Sequence, residues 1–204
     1  EEQQLAHAEV MQEFRAKTSE RSHFACIQRL LKIYQHIALD SADYLDKEAS
    51  EYLRRSYKLA DCINLLREIK RRREKVLLFT RTIDMQIILK QVIEQEFGPV
   101  EIINGSAATG NTSNTTRQRI ISEFEAADGF KALILSPEVA GVGLTITAAN
   151  NVIHYGRWWN PAKEAQATDR VYRLGQTRDV NVYHLLSTAE TFPTFDEKLH
   201  LMLA

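Results

Sequence analysis

Cysteine occurs twice in the 204 residues, at Cys26 and Cys62. That is too few for a disulfide framework or a zinc site, and it suits a reducing cytosol. No run approaches the ~18 consecutive apolar residues that a membrane-spanning helix needs, and no secretory signal pattern opens the chain, so no membrane partner is expected. Charge of one sign is missing as well. With 26 Lys and Arg against 27 Asp and Glu, the net charge is −1, which excludes a wholly basic nucleic-acid coat but leaves room for a local basic groove. The chain begins at Glu1 without a methionine and in mid-helix pattern, so a piece of a longer protein is expected.

The signatures of an autonomous nucleotide site are absent too. Gly105 to Thr112, GSAATGNT, matches the spacing of a phosphate loop, but Asn111 stands where the lysine belongs. That lysine carries the positive charge to the β- and γ-phosphates, which an asparagine cannot do. No acidic strand end supplies a magnesium ligand, so no metal site is assigned. No G-x-G-x-x-G follows the first apolar run, where Thr80 to Asp84 stands, which weighs against a stand-alone Rossmann-type nucleotide-binding domain. A non-catalytic module docking through its helices stays open as the other alternative.

What is present falls into two textures. Hydrophobic residues make up 44% and charged ones 26%, enough for one α/β domain with an appendage or for two small domains. Residues 1 to about 74 read as helical. Leu59, Cys62, Ile63, Leu66 and Ile69 share one helical face, and the basic run Lys70 to Arg73 closes that helix, favouring its dipole or else a phosphate. From Lys75 short apolar runs alternate with amphipathic segments. VLLF (Val76 to Phe79), VEII (Val100 to Ile103), ALIL (Ala132 to Leu135), NVIHY (Asn151 to Tyr155) and VNVYHLL (Val180 to Leu186) read as buried strands. The rhythm predicts an α/β fold, a parallel sheet flanked by helices with ligands at the strands' carboxyl ends.

The informative loops fall at those ends. In AGVGLT, Gly141 and Gly143 permit close backbone approach by a ligand, and Ser136 and Thr145 add hydroxyls; alone, a plain tight turn reads as well. Trp158 and Trp159 beside Arg157 divide, in this reading, into one that seals the core and one presented to a partner. Asn160 to Gln176 reads as a capped helix, with Asn160 as N-cap, Pro161 at the first position and Gly175 past the end. On it Gln166, Arg170 and Arg173 fall at i, i+4 and i+7 and share a face. An ordinary exposed ion pair between Asp169 and Arg173 is the plainer account of those charges.

The ordered set KVLLFTRT, INGS with TTRQRIISEF after it, SPEVAGVGLTIT, WWNP and QATDRVYRLGQ resembles the C-terminal RecA-like motor lobe of the SWI/SNF family, superfamily-two helicase-like DNA translocases. The resemblance covers roughly residues 56 to 200, and the Q-x-x-D-R-x-x-R-x-G-Q pattern after WWNP is its most specific part. It implies a P-loop NTPase fold of the second-lobe kind at 56–204, with 1–55 as a helical extension. It implies ATP and Mg2+ held mainly by an N-terminal RecA-like lobe of the same protein. Arg170 and Arg173 match the arginine fingers and Gln166 the glutamine that couples the lobes, while Gly141, Gly143, Leu144, Thr145 and Asp169 match nucleotide-coupling positions. Thr80, Arg81, Gly105, Ser106, Ser136, Trp158 and Trp159 fall where the family meets double-stranded DNA. The implied enzyme is an ATP hydrolase and DNA translocase as a full-length protein, with this chain alone inactive. A DNA-bound protein target is a further implied partner. The chain departs from the pattern at Thr80 and Arg81, where serine–glutamine is common, and at Asn104, where aspartate is. Its WWNPAKEAQATDRVYRLGQ stretch is closer to bacterial members, which implies a bacterial cytoplasmic, nucleoid-associated setting, or a nuclear one in a eukaryote.

Overall fold

A computed structural model describes residues 2–16, 19–41, 45, 47–104, 114–137, 146–169, 171 and 176–203. Its centre is β1 (Lys75–Phe79), an apolar run buried at every position. Such a strand needs a covered sheet on both sides, and it has one. β2 (Glu101–Ile103), β3 (Lys131–Leu135), β4 (Asn151–His154) and β5 (Asn181–His184) complete a five-stranded sheet in the order β2-β3-β1-β4-β5. Every pairing is parallel, with Val76 opposite both Ala132 and Asn151. This is the RecA-like arrangement expected.

Side chains on a strand alternate between faces, so each strand feeds two cores. Val76, Leu78, Ile134 and Ile153 meet α3 (Ala49–Arg55), α4 (Tyr57–Arg71) and α5 (Ile83–Phe97) on one face. Leu77, Phe79, Leu133, Leu135 and Val152 meet α6 (Asn114–Ala126) and α7 (Pro161–Thr168) on the other. On α4 the five residues of the expected stripe, Leu59, Cys62, Ile63, Leu66 and Ile69, are all buried. At ~1.5–3 kcal/mol for each large apolar side chain withdrawn from water, that stripe holds the helix to the sheet. A third cluster joins α1 (Glu2–Ala16) to α2 (Glu20–Gln35) through Val10, Cys26, Leu30 and Ile33. Ala38 and Leu39, in the 3-10 turn Ile37–Asp40, pack with Ala49 and Tyr52 into the core of the sheet.

The amino end of the sheet is closed by polar pairing. Asn151 is fully buried, and its amide donates to Glu74 Oε2 at 3.0 Å, Asn150 Oδ1 at 3.2 Å and Lys75 O at 3.3 Å. Its carbonyl accepts from Arg72 at 3.2 Å and Asn181 at 3.4 Å. Burial opposes ionisation of Glu74, but hydrogen bonds from Asn151, Arg72 and Asn150 outweigh it and hold the carboxyl below its usual range. Of the basic run that closes α4, Arg72 is thus committed to the fold. The last helix, α8 (Phe195–Leu203), is tied down by Asp196, which accepts from Lys58 of α4 at 2.6 Å in a buried ion pair. Lys58 also donates to Tyr34 O at 3.1 Å, and Asp196 accepts Ser187 N–H at 2.9 Å. Those extra bonds are what make a buried pair tolerable, since removing one partner of such a pair costs about 3–5 kcal/mol.

Candidate functional site

The register that aligns Phe79, Leu135 and Ile103 carries Thr80, Ser136 and Asn104 to one row at the carboxyl edge. Thr80 N–H donates to Leu135 O at 3.1 Å and Ser136 N–H to Ile103 O at 3.0 Å, so the ladder runs to the end of the sheet. Gln86, fully buried on α5, links the row by donating to Thr80 O at 3.2 Å and accepting from Asn104 Nδ2 at 3.0 Å. Arg117 of α6 donates to Asn104 O at 3.4 Å. Two atoms in the row are left over. Thr80 Oγ1 and Ser136 Oγ are buried without a hydrogen-bond partner among the described residues. Such atoms are uncommon in a folded protein and call for an explanation, such as a ligand group. Gly105, Ser106, Gly141, Gly143, Leu144 and Thr145 lie outside the described residues.

Beyond β4 the chain turns at Gly156, whose φ of 132° lies in the region that favours glycine. Arg157 then pairs with Glu164 of α7, through Nη2 to Oε1 at 3.0 Å and Nε to Oε2 at 3.2 Å, with both side chains buried. Glu164 Oε2 also accepts Trp158 N–H at 2.9 Å. With its backbone held there, Trp158 is 4% exposed and packs edge-on to Phe79 and His154. Trp159 is 56% exposed. The tryptophans thus differ in burial, Trp158 sealed into the core and Trp159 exposed. A groove runs past them, lined by Arg81, Pro137, Trp158, Trp159, Asn160 and Lys163. Arg81 and Lys163 are exposed, so the groove carries positive charge.

α7 begins as expected. Asn160 Oδ1 accepts Ala162 N–H at 3.0 Å and Lys163 N–H at 3.4 Å, with Pro161 in the first turn. Its end differs from the expectation of a helix reaching Gly175: the helix closes at Thr168 with Asp169 as C-cap. Asp169 N–H is shared between Ala165 O and Ala167 O, the tightening typical of a last turn. Gln166 and Asp169 are exposed. Arg170 and Arg173 lie outside the described residues, so the face they were expected to share with Gln166 does too.

Sequence reasoning passed over the group beneath α7. His154 is fully buried, stacks on His184 at 5.0 Å with an 11° tilt, and sets Nε2 3.0 Å from Thr168 Oγ1. His184 Nδ1 stands 3.8 Å from Glu164 Oε1, and Arg157 Nη1 meets His200 Nδ1 of α8. Burial pushes His154 down to about 3, with the charges of His184 and Arg157 adding to it. Burial also lowers His184, against the pull of Glu164. Among the described residues no group of three His, Cys, Asp or Glu stands ready to hold a metal ion. None of their helices is long and apolar enough to cross a membrane.

Comparisons with known proteins point one way. Residues 57–175 match the family model of the helicase conserved C-terminal domain. The chain is 42% identical over 177 residues to the putative ATP-dependent helicase/translocase YwqA of Bacillus subtilis, covering 86% of this chain and 18% of that protein. It is 46% identical over 151 residues to the Zorya protein ZorD of Escherichia coli, covering 72% of this chain and 14% of the relative. The chain therefore spans under a fifth of the length of either. Among solved structures, the SWI2/SNF2 ATPase core of Sulfolobus solfataricus in complex with dsDNA superimposes with a TM-score of 0.75 at 32% identity, over 99% of this chain and 41% of that one. The C-terminal domain of the Sulfolobus ATPase gives 0.72 at 28% identity, over 99% of this chain and 79% of that one. With the parallel sheet, the capped helix after the tryptophan pair and the family match across more than half its length, the chain belongs to the helicase conserved C-terminal domain family and has the RecA-like fold of the SWI2/SNF2 C-terminal lobe.

Proposed function

We propose that this chain is the second motor lobe of an ATP-dependent double-stranded DNA translocase, gripping the DNA backbone while reaching across to ATP held by a first lobe. The observation that carries the reading is the carboxyl edge of the sheet. Two buried hydroxyls, Thr80 Oγ1 and Ser136 Oγ, have no partner among the described residues, and a cationic groove with one exposed tryptophan lies beside them. Neutral donors with a few cations suit phosphates, and phosphate contacts track a strand without reading its sequence. Arg81, Lys163 and the exposed face of Trp159 extend that grip, and Gly105 and Ser106 belong to it by sequence. Support also comes from a relative described as a helicase/translocase and a neighbour solved with dsDNA.

Arg170 and Arg173 are the fingers in this reading. A guanidinium brought to the transferring phosphoryl group stabilises the charge that develops there. Gln166 and Asp169, exposed on and just after α7, lie toward the partner lobe, and the loop with Gly141, Gly143, Leu144 and Thr145 couples DNA to nucleotide. ATP with Mg2+ supplies the energy when bound. The phosphate-loop lysine is missing at Asn111, so the first lobe holds the nucleotide, and this lobe contributes orientation and the exclusion of water. The setting is the bacterial cytoplasm on DNA, acting on a DNA-bound protein or on the duplex itself.

In the two-lobe protein, Arg170→Ala is expected to abolish DNA-stimulated ATP hydrolysis while DNA affinity is retained. Turnover that survives the change sinks the finger assignment. The isolated chain is expected to show no DNA-stimulated hydrolysis, and measurable turnover there removes the need for a first lobe.

A further inference from the structure

The loop that carries the two tryptophans is tied to the last helix through Arg157. That side chain is 8% exposed, and its nitrogens turn to two elements. Nε and Nη2 face the carboxylate of Glu164 on α7, while Nη1 meets His200 Nδ1 on α8. A guanidinium can only donate, so His200 Nδ1 accepts and the ring proton sits on Nε2. His200 is therefore neutral in this geometry. Glu164 Oε2 passes the tie on by accepting Trp158 N–H at 2.9 Å. A chain of hydrogen bonds thus runs from α8 to the backbone next to Trp159, across a turn where Gly156 has a φ of 132°.

Two cations cannot share that contact. Protonation would place a hydrogen on His200 Nδ1, facing a guanidinium that is always charged. In a half-buried site like charges repel more strongly than in water, and Arg157 Nη1 would lose its acceptor as well. The groups around His200 are committed elsewhere. His184 of β5 stands close enough for a charge on His200 to work against its own, and His154 of β4 stacks behind it. The carboxylate of Glu164 is taken by Arg157. Of the acids on α8 itself, Asp196 is held by Lys58 of α4 at 2.6 Å and Glu197 accepts Thr194 N–H at 2.8 Å. α2 meets α8 through Tyr34, stacked on Phe195.

We propose that His200 is a positioning residue for the DNA grip: as a neutral acceptor from Arg157 it braces the loop that presents Trp159 to the groove, and its protonation releases that brace. The proposal rests on the reading of the groove as a DNA surface. Histidine is the side chain that ordinarily changes charge between about pH 5 and 8, so the brace makes the grip sensitive to mild acid. The sign is the informative part. Added positive charge ordinarily tightens a protein's hold on DNA, because each cation near a phosphate releases a counterion. Here the added charge loosens the hold, because it acts on the shape of the loop. The role of His200 is to hold that loop, not to contact DNA.

The test uses the two-lobe protein. DNA affinity is measured by fluorescence anisotropy at fixed salt between about pH 8 and 5.5, and amide hydrogen exchange is followed across residues 156–160. The affinity of the parent protein is expected to fall about fivefold or more towards the acid end. His200→Asn offers an acceptor that takes up no proton. It is expected to stay within about twofold of the parent at the alkaline end and to lose the fall. His200→Lys fixes a cation at the contact. It is expected to bind about fivefold more weakly than the parent already at the alkaline end, with faster exchange across 156–160. The proposal is overturned if His200→Lys binds as tightly as the parent, or more tightly as its charge alone would have it. It is overturned equally if the parent shows no fall or His200→Asn keeps it. Should His200→Lys fail to fold, the pH response of His200→Asn decides. Trp159→Ala at the alkaline end, run alongside, separates the two readings. If it weakens binding, the outcomes above judge His200 alone. If it leaves binding unchanged, the groove reading falls, and exchange across the loop then decides for or against the brace.

Discussion

At the amino end of the sheet, the amide of Asn151 has three acceptors and its carbonyl two donors, every one supplied from within the fold. At the carboxyl end, Thr80 and Ser136 are buried too, yet each keeps an oxygen without a partner among the described residues. The two ends belong to one sheet and differ in what happens to polar atoms there. A hydrogen bond made inside the protein stabilises it modestly, whereas a buried polar atom left without one carries its full desolvation cost. One end is therefore built for stability, and the other holds a cost that a ligand can relieve.

The hardest test of that contrast asks whether it concerns polar atoms only. Trp158→Ala, at the carboxyl end, is expected to cost about 3–5 kcal/mol in denaturant unfolding, because it empties a space between Phe79 and His154. Trp159→Ala is expected to leave stability unchanged and to weaken DNA binding in a filter or fluorescence assay. Comparable stability losses from the two would break the division between sealing and presented tryptophan. Next in size, Asn151→Leu is expected to destabilise by about 1–3 kcal/mol, since Glu74 and Lys75 lose a donor, while the DNA affinity of the folded protein is unchanged. A DNA defect from that change would show that the amino end is not purely structural.

Acid titration sharpens the contrast from another side. His154 binds its proton only near pH 3 when folded but near 6.5 when unfolded, so between those values the unfolded chain takes up more protons. Stability is then complete above pH 6.5 and declines as the pH falls towards 3, by up to ~1.4 kcal/mol per pH unit for each histidine of this kind. His36, lowered by burial despite its bond to Tyr52 O, adds to the slope. Urea unfolding at stepped pH is expected to show a shallower acid slope in His154→Phe, and an unchanged slope would remove the histidine from the acid response. The smallest effects return to the row at the edge. Thr80→Val is expected to leave the melting temperature unchanged or slightly raised, because an oxygen without a partner is lost, and to weaken DNA binding by about 1 kcal/mol. Its salt dependence should stay that of the parent, whereas Lys163→Ala should reduce the salt slope by about one unit. A stability loss in Thr80→Val would mean the hydroxyl already has a structural task.

Much of the fold is legible in the sequence because local rules and the tertiary structure agree. The strands show as continuous apolar runs, the α4 stripe as a 3.6-residue period, and the start of α7 as Asn160 and Pro161. The hidden features depend on residues far apart in the chain. Gly175 is a strong local stop, but α7 ends earlier, where Thr168 meets His154 of β4. Glu164 is buried although it is an acid in the first turn of α7. Its burial comes from Arg157 folding back across the loop, which no periodicity encodes. That the hydroxyls of Thr80 and Ser136 have no partner among the described residues becomes visible only once the strand register sets them in one row.

The strand order has a consequence for how the chain is made. β1 pairs with β3 and β4, and neither of its neighbours is adjacent to it in sequence. On a ribosome adding ~5–20 residues per second, the most apolar strand waits several seconds for its first partner. During that time β1 lacks both of the strands that pair with it, and only helices can cover it. Contacts between distant parts of a chain are entropically slow to close. The vulnerable species during synthesis is therefore the nascent chain whose β1 edges are unpaired, and Lys131 to Leu135 is the segment that supplies the first of its two partners.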